Sequence, residues 1–252
     1  MKIALYPYKV GSVTAKKLAE TMGIRRVKHV GSKWSPAKGV TINWGASHLP
    51  QVLDRDILNW PWAVKAAVHK QETYAKLIEK NIPVPRELSW EEAVKYNKDG
   101  KTIYMRSTLA GYGGFGITVW PKDSEIPKLD TYHYFLRFVA THEYRIHVIG
   151  GRVVKVAQKK KRKGVDGNRF IRNHDNGYVM AFHDIEWPEE ADEVGMNAVN
   201  ALGLHFGAVD LGYNDETSEF CVFEVNSAPG LCGDTYNVYA GGLRQLAEEI
   251  YG

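Results

Sequence analysis

The chain has 252 residues, 44% hydrophobic and 25% charged, the make-up of an ordinary globular protein with one large domain or a few small ones sharing a core. No run approaches the roughly eighteen apolar residues of a membrane span, and the two cysteines, Cys221 and Cys232, have no zinc-binding spacing, which leaves them as free thiols in a reducing cytoplasm. The net charge of +4 owes much to one run, KKKRK at 159–163, which reads first as solvated surface; without interleaved aromatics on a nucleic-acid module, nucleic acid is not the expected partner.

Short strand patterns alternate with helical ones, which predicts an α/β or α+β chain. The opening MKIALYPYKVGS has one lysine and an apolar stretch broken by Pro7, so it predicts a strand over 3–6 and not a signal peptide. Ser12 caps a predicted helix, VTAKKLAETM, that Gly23 ends. GVTINWGAS predicts a second strand. From Val64, apolar residues recur at Ala67, Val68, Ala75 and Ile78, a spacing that predicts one helix stopped by Pro83. Ser89 and Glu92 form a capping box for the next helix. TIYMRST and ITVW predict strands joined by the glycine-rich tip LAGYGGFG. YRIHVI and RVVKVAQ predict a hairpin turning at Gly150 and Gly151, followed by a polar loop over 160–169. A helix over 189–202, a hairpin of AVDLGY with FCVFEVN, and a terminal helix from about Gly242 complete the reading.

Several stretches concentrate chemistry. FEVNSAPG, residues 223–230, puts a carboxylate and an amide on an apolar strand. Alternation predicts that Phe220, Val222, Glu224 and Asn226 share a face. A turn centred near Thr217 sets Asp210 opposite Glu224, and two carboxylates about 5 Å apart repel on a half-buried surface. A hard cation such as Mg²⁺, shared with a substrate's phosphates, removes that cost; surface acids neutralised by lysine or arginine are the alternative.

LAGYGGFG joins two strands and matches neither a Walker A loop nor a dinucleotide fingerprint. Its glycines could close backbone N–H groups over phosphates, with Arg106 adding charge at the entry, or it is a plain floppy turn. In the 142–158 hairpin, pairing Ile149 with Arg152 predicts Glu143 opposite Gln158 and Arg145 opposite Val156. Glu143, Arg145 and His147 then share one face, either functional or simply solvated. FIRNHDNG, residues 170–177, reads as a functional loop on a rigid sheet or as a hydrogen-bonded turn.

Taken in order, VHKQETYAKLIEKNIPVP, IYMRSTLAGYGGFGI, HEYRIHVIGGRVVKVAQKK, GAVDL and FEVNSAPG resemble the ATP-grasp superfamily over roughly residues 60–235, with the ribosomal-protein glutamate ligases and their short phage-encoded relatives most alike. The resemblance implies an ATP-grasp fold: an N-terminal α/β domain (1–62), a central lid subdomain (63–136) and a C-terminal subdomain bearing the metal site (137–252), gripping ATP between antiparallel sheets. It implies that Lys70 contacts phosphate, and that Arg106 stands where most relatives have a second lysine. Gly113 and Gly114 would form the lid over the triphosphate, Phe135, Leu136, Arg137 and Phe138 the adenine linker, Glu143 the ribose acid, and Lys159 a further phosphate contact. Asp210, Glu224 and Asn226 match the Mg²⁺ ligands, for two ions that Mn²⁺ can replace. Some relatives carry an arginine two residues before the metal aspartate; here it is Ala208, which leaves Arg172 as the oxyanion donor, with Arg145 a second catalytic cation and Asn173, Ser227 and Gly230 facing substrate. The implied activity joins a small-molecule or peptide carboxylate to an amine through an acyl phosphate. A kinase on the same fold and a catalytically silent nucleotide- or nucleic-acid-binding protein are the alternatives. An acidic peptide would suit the basic run, no membrane is involved, and a homodimer is the default assembly.

Overall fold

The computed structural model describes residues 1–27, 39–50, 53, 55–109, 115–168 and 170–252. Its first unit runs β1 (Lys2–Pro7), α1 (Val13–Met22), β2 (Arg25–Arg26), β3 (Gly39–Trp44) and β4 (Ile57–Leu58). The strands form a parallel sheet in the order β2-β1-β3-β4. Every residue of β3 and all but the first of β1 are buried, which is why KIALYP and GVTINW run almost without polar alternation. Ser12 accepts from the N–H of Ala15, and Gly23 closes α1 in the left-handed region, as the sequence predicts.

The single helix expected from Val64 is two, α2 (Pro61–Val68) and α3 (Lys70–Glu79), separated by the extended backbone of His69. The break is satisfied locally. The Thr73 hydroxyl donates to the Ala66 carbonyl at 2.7 Å, and the Lys70 N–H turns to the carbonyl of Leu109. Apolar spacing carries across such a kink, so periodicity alone reads it as continuous.

β5 (Glu87–Leu88), α4 (Trp90–Lys98), β6 (Ile103–Arg106), β7 (Ile117–Trp120) and β8 (His133–Leu136) follow. Their strands make an antiparallel sheet ordered β5-β8-β6-β7, with the Ser89–Glu92 capping box at the start of α4. A second antiparallel sheet, ordered β11-β10-β9-β12-β13, is built from β9 (His142–Ile149), β10 (Arg152–Lys161), β11 (Tyr178–Ala181), β12 (Phe206–Asn214) and β13 (Glu219–Asn226), with α5 (Glu190–Ala201) between β11 and β12. One face of this sheet packs on α2, α3 and α5 through Ala66, Leu77, Val199, Ile146, Val209 and Val222.

Two bulges correct the expected registers. Arg152 pairs with Ile149 as predicted, but the register slips between Val153 and Lys155, so Gln158 faces Tyr144 and Ala157 faces Arg145. On the other hairpin, Asn214 pairs with Glu219 and Leu211 with Val222, yet Asp210 pairs with Glu224. The extra residue is Phe223. Without the bulge the hairpin count would set Phe223, not Glu224, opposite Asp210. The bulge also splits the expected shared face: Phe220 and Val222 pack against the core, while Glu224 and Asn226 turn to the other side. The strand β10 extends to Lys161, two residues into the span expected to be loop.

The last helix, α6 (Thr235–Tyr251), begins well before Gly242. Tyr236, Tyr239, Leu243 and Leu246 form an apolar stripe against β1, β3 and α1 that holds the glycines inside the helix. Gly242 lies where a Cβ would come within 3.0 Å of Ile149. Trp44 stacks on Phe206 at 5.6 Å and meets Tyr239 edge-on at 5.7 Å, which joins the parallel sheet to the five-stranded one. Among the described residues no helix is long and apolar enough to cross a membrane.

Candidate active site

A cavity of about 610 Å³ opens between the two antiparallel sheets. Strand pairing sets Arg145 on β9, Asp210 on β12 and Glu224 on β13 in one row across its floor. Arg145 Nε and Nη2 donate to Asp210 Oδ1 and Oδ2 at 2.7 and 2.9 Å, a bidentate pair. Burial alone would raise the Asp210 carboxyl, but Arg145, with Lys159 nearby, holds it well below its ordinary value, so it is ionised. Glu224 Oε2 stands 3.7 Å from Nζ of Lys70, a lysine that is only 6% exposed. Burial lowers the Lys70 pKa, and the Glu224 charge opposes that shift. Both acids therefore already face cations, the pairing that the sequence left open as an alternative to a metal.

Asn226 lines the same cavity, and its Nδ2 is buried with no hydrogen-bond partner. A buried amide N–H group with no partner among the described residues is a costly arrangement in a protein that binds nothing there. The donor set of two carboxylates and an amide oxygen fits a hard divalent cation that completes its shell with water or phosphate. No group of three or more His, Cys, Asp or Glu able to hold a metal occurs among the described residues, so any such ion depends on outside ligands.

The bulge in β10 has a direct consequence. It brings Lys159 across to Glu143, with Nζ 2.9 Å from Oε2. Arg172 Nε lies 3.5 Å from the other oxygen of Glu143, and Arg172 Nη2 donates to the Ala140 carbonyl at 2.8 Å. Glu143 thus sits between two cations in the cavity wall. The polar face of β9 is not a solvated one. His147, farther along that face, is buried; its Nδ1 lies 3.0 Å from the Tyr239 hydroxyl, and burial together with Arg145 pushes its pKa down to about 3. It is a neutral core histidine.

FIRNHDNG answers to both of its readings. Asn173 Oδ1 accepts from the N–H and the side-chain amide of Asn176, which is a hydrogen-bonded turn, yet Arg172 and Asn173 line the cavity. This loop is tied to the opposite sheet, because Tyr104 donates to the Phe170 carbonyl at 2.7 Å and the Arg137 guanidinium lies 5.0 Å from the Phe170 ring. Arg106, Phe135, Leu136, Arg137 and Phe138 all line the cavity. The N–H groups of Leu136 and Arg137 already donate to Arg86 and Thr102, so a base held by this linker would use its carbonyls or Phe138. Lys70, Ser227 and Gly230 do not line the cavity, and Ser227 is buried. Gly113 and Gly114 lie outside the described residues.

Sequence reasoning missed Tyr104, Met180 and Phe223 in the lining. Tyr104 precedes Arg106 by two on one strand, a period-2 signal that was there to read. Met180 faces Lys159 only through the β10–β11 register, and Phe223 enters through its bulge, its ring lying over Gly212, where an added Cβ would meet it. Neither of these has a local signal.

Residues 131–241 match the RimK-like ATP-grasp domain family. No curated protein sequence matches the chain. Among solved structures, the ATP-grasp ligase PsnB complexed with a phosphomimetic variant of its minimal precursor, Mg and ADP is 13% identical, with 99% of this chain and 98% of that one covered and a TM-score of 0.69. The D-alanine–D-alanine ligase from Bacillus anthracis is 14% identical over 100% of this chain and 98% of that one, with a TM-score of 0.66. A RimK-domain ATP-grasp protein from Sphaerobacter thermophilus is 16% identical over 100% of both, with a TM-score of 0.62. At such identities the likeness is one of fold. The chain therefore has the ATP-grasp fold, and residues 131–241 are the part of it that is similar to the RimK-like ATP-grasp domain family.

Proposed function

We propose that the protein is an ATP- and Mg²⁺-dependent ligase that joins a carboxylate to an amine through an acyl phosphate. The observation that carries this reading is the row of Arg145, Asp210 and Glu224, with the orphaned Asn226 amide, in the cavity that also holds Glu143 and Lys159. Asp210, Glu224 and Asn226 would hold one or two magnesium ions, with manganese able to substitute; the metal supplies charge neutralisation for the phosphate oxygens. A structure of PsnB complexed with its minimal precursor, Mg and ADP supports the pairing of Mg²⁺ with a nucleotide.

The chain's own residues do the positioning. Glu143 accepts from ribose hydroxyls, and Lys70, Lys159 and Arg106 neutralise phosphate, helped by Gly113 and Gly114. Phe135, Leu136, Arg137 and Phe138 border the base. Arg145 and Arg172 present guanidinium forks to the transferred phosphoryl group and to the oxyanion of the later tetrahedral intermediate. Asn173 flanks the substrate from the cavity wall, while Ser227 and Gly230, which do not line the cavity, hold the turn after Asn226. Carboxylates are poor electrophiles, and phosphorylation gives them a leaving group that an amine can displace. A peptide carboxylate is the favoured substrate, since PsnB and the macrocyclase MdnC from Microcystis aeruginosa were each solved with a precursor peptide.

The test is ADP release from ATP with a mixture of amino acids and peptides, with and without Mg²⁺, followed by hydroxylamine trapping. A hydroxamate is the expected product. A stable phosphorylated product instead would make the protein a kinase, and no Mg²⁺-dependent ADP release would end the reading.

A further inference from the structure

We infer that Arg145 and Lys70 are built-in counter-ions for the metal acids, so that the nucleotide-free protein has little affinity for a free divalent cation and takes one up together with a polyphosphate. This rests on the reading of Asp210, Glu224 and Asn226 as metal ligands. Arg145 occupies both oxygens of Asp210, and Lys70 stands beside Glu224. Two acids and two cations leave no net charge in the row. Lys159 acts on Asp210 and Arg106 on Lys70, so the surroundings lean positive. A dication arriving alone meets no net attraction and has to displace a bidentate guanidinium from a partly buried carboxylate.

A polyphosphate changes the balance. It carries several negative charges, and it offers Arg145 and Lys70 acceptors as good as the ones they leave. The β12 strand supplies no cation of its own, since Ala208, two residues before Asp210, faces His147 on β9; the guanidinium reaches Asp210 from the neighbouring strand. Asn226, the third oxygen ligand, has a buried side-chain N–H group without a partner among the described residues, a donor left for a phosphate oxygen.

Mn²⁺ titration of the full chain without nucleotide, read by the electron paramagnetic resonance of free Mn²⁺, tests this. Arg145→Gln is expected to bind Mn²⁺ about tenfold more tightly than the native protein, because Asp210 loses its counter-ion. Lys70→Met should show a smaller gain, and Arg145→Gln with Asp210→Asn should lose it. Native protein that binds Mn²⁺ as tightly as Arg145→Gln overturns the counter-ion role. Should Arg145→Gln fail to fold by circular dichroism, Lys70→Met with no gain overturns it equally. If no protein binds Mn²⁺ even with ADP present, the metal-ligand reading itself has failed, which is a separate outcome.

Discussion

The parallel sheet of β1–β4 and the antiparallel sheet of β9–β13 are joined through Trp44 and Phe206, yet they use their residues differently. In the first, β1 and β3 are buried on both sides; Asn43 bonds the carbonyls of Ala46 and Asn59, while the Thr41 hydroxyl and the Trp44 indole N–H are buried with no partner among the described residues. In the second, one face is core and the other carries Glu143, Arg145, Asp210, Glu224 and Asn226. A sheet covered on both sides has no open face, only strand ends, to offer to chemistry, while one covered on a single side has a whole face left over. His147 marks the border, since its chemistry-side position is reclaimed for the core by Tyr239 of α6.

Phe206→Ala would strike the scaffold. It should cost about 3–5 kcal/mol in denaturant unfolding, because it empties a buried site against Trp44; a loss under about 1 kcal/mol would mean the two sheets are not energetically joined there. Asn226→Ala would strike the open face alone. We expect ATP turnover to fall about 100-fold or more, with stability nearly unchanged, since the amide N–H group has no partner to lose among the described residues; equal loss of both would erase the distinction between the sheets. Arg172→Ala should lower ligation about tenfold or more while nucleotide still binds, and equal loss of binding would show that its contact with Glu143 is what matters.

His147 sharpens the border. Its pKa is near 6.5 unfolded and about 3 folded, so between those values the unfolded chain binds more protons. Its contribution to stability is complete above pH 6.5 and is lost on acidification, by up to about 1.4 kcal/mol per pH unit. Urea midpoints at pH 7, 6 and 5 should therefore fall less steeply in His147→Gln than in the native protein, with His205 contributing to both. Ser89→Ala, in the α4 capping box far from this comparison, should cost only about 1 kcal/mol.

Much of the fold was legible because its signals are local. The Ser12 and Ser89 caps, the Gly23 stop and the Gly150–Gly151 turn each act within a few residues of where they stand. The Asp210–Glu224 pairing was also anticipated, although the bulge at Phe223, and not the assumed turn centre, produces it. What stayed hidden depends on partners distant in sequence. The break at His69 is stabilised by Leu109, and the early start of α6 follows from burial against β1 and β3. The meeting of Lys159 with Glu143 required a slipped register, and the capture of Asp210 by Arg145 required two strands 65 positions apart to lie side by side.

The extra residue at Phe223 makes chain length itself a functional variable. Loss of that one codon would leave both hairpin strands and their turn able to pair and would still set Glu224 opposite Asp210, but it would straighten the strand and take the Phe223 ring out of the cavity wall. Insertions at the exposed tip over 215–218 leave the spacing from Asp210 to its partners to the ladder; a deletion between 220 and 224 removes or moves the bulge. Among descendants of this sequence, the tip should vary in length and that five-residue stretch should not.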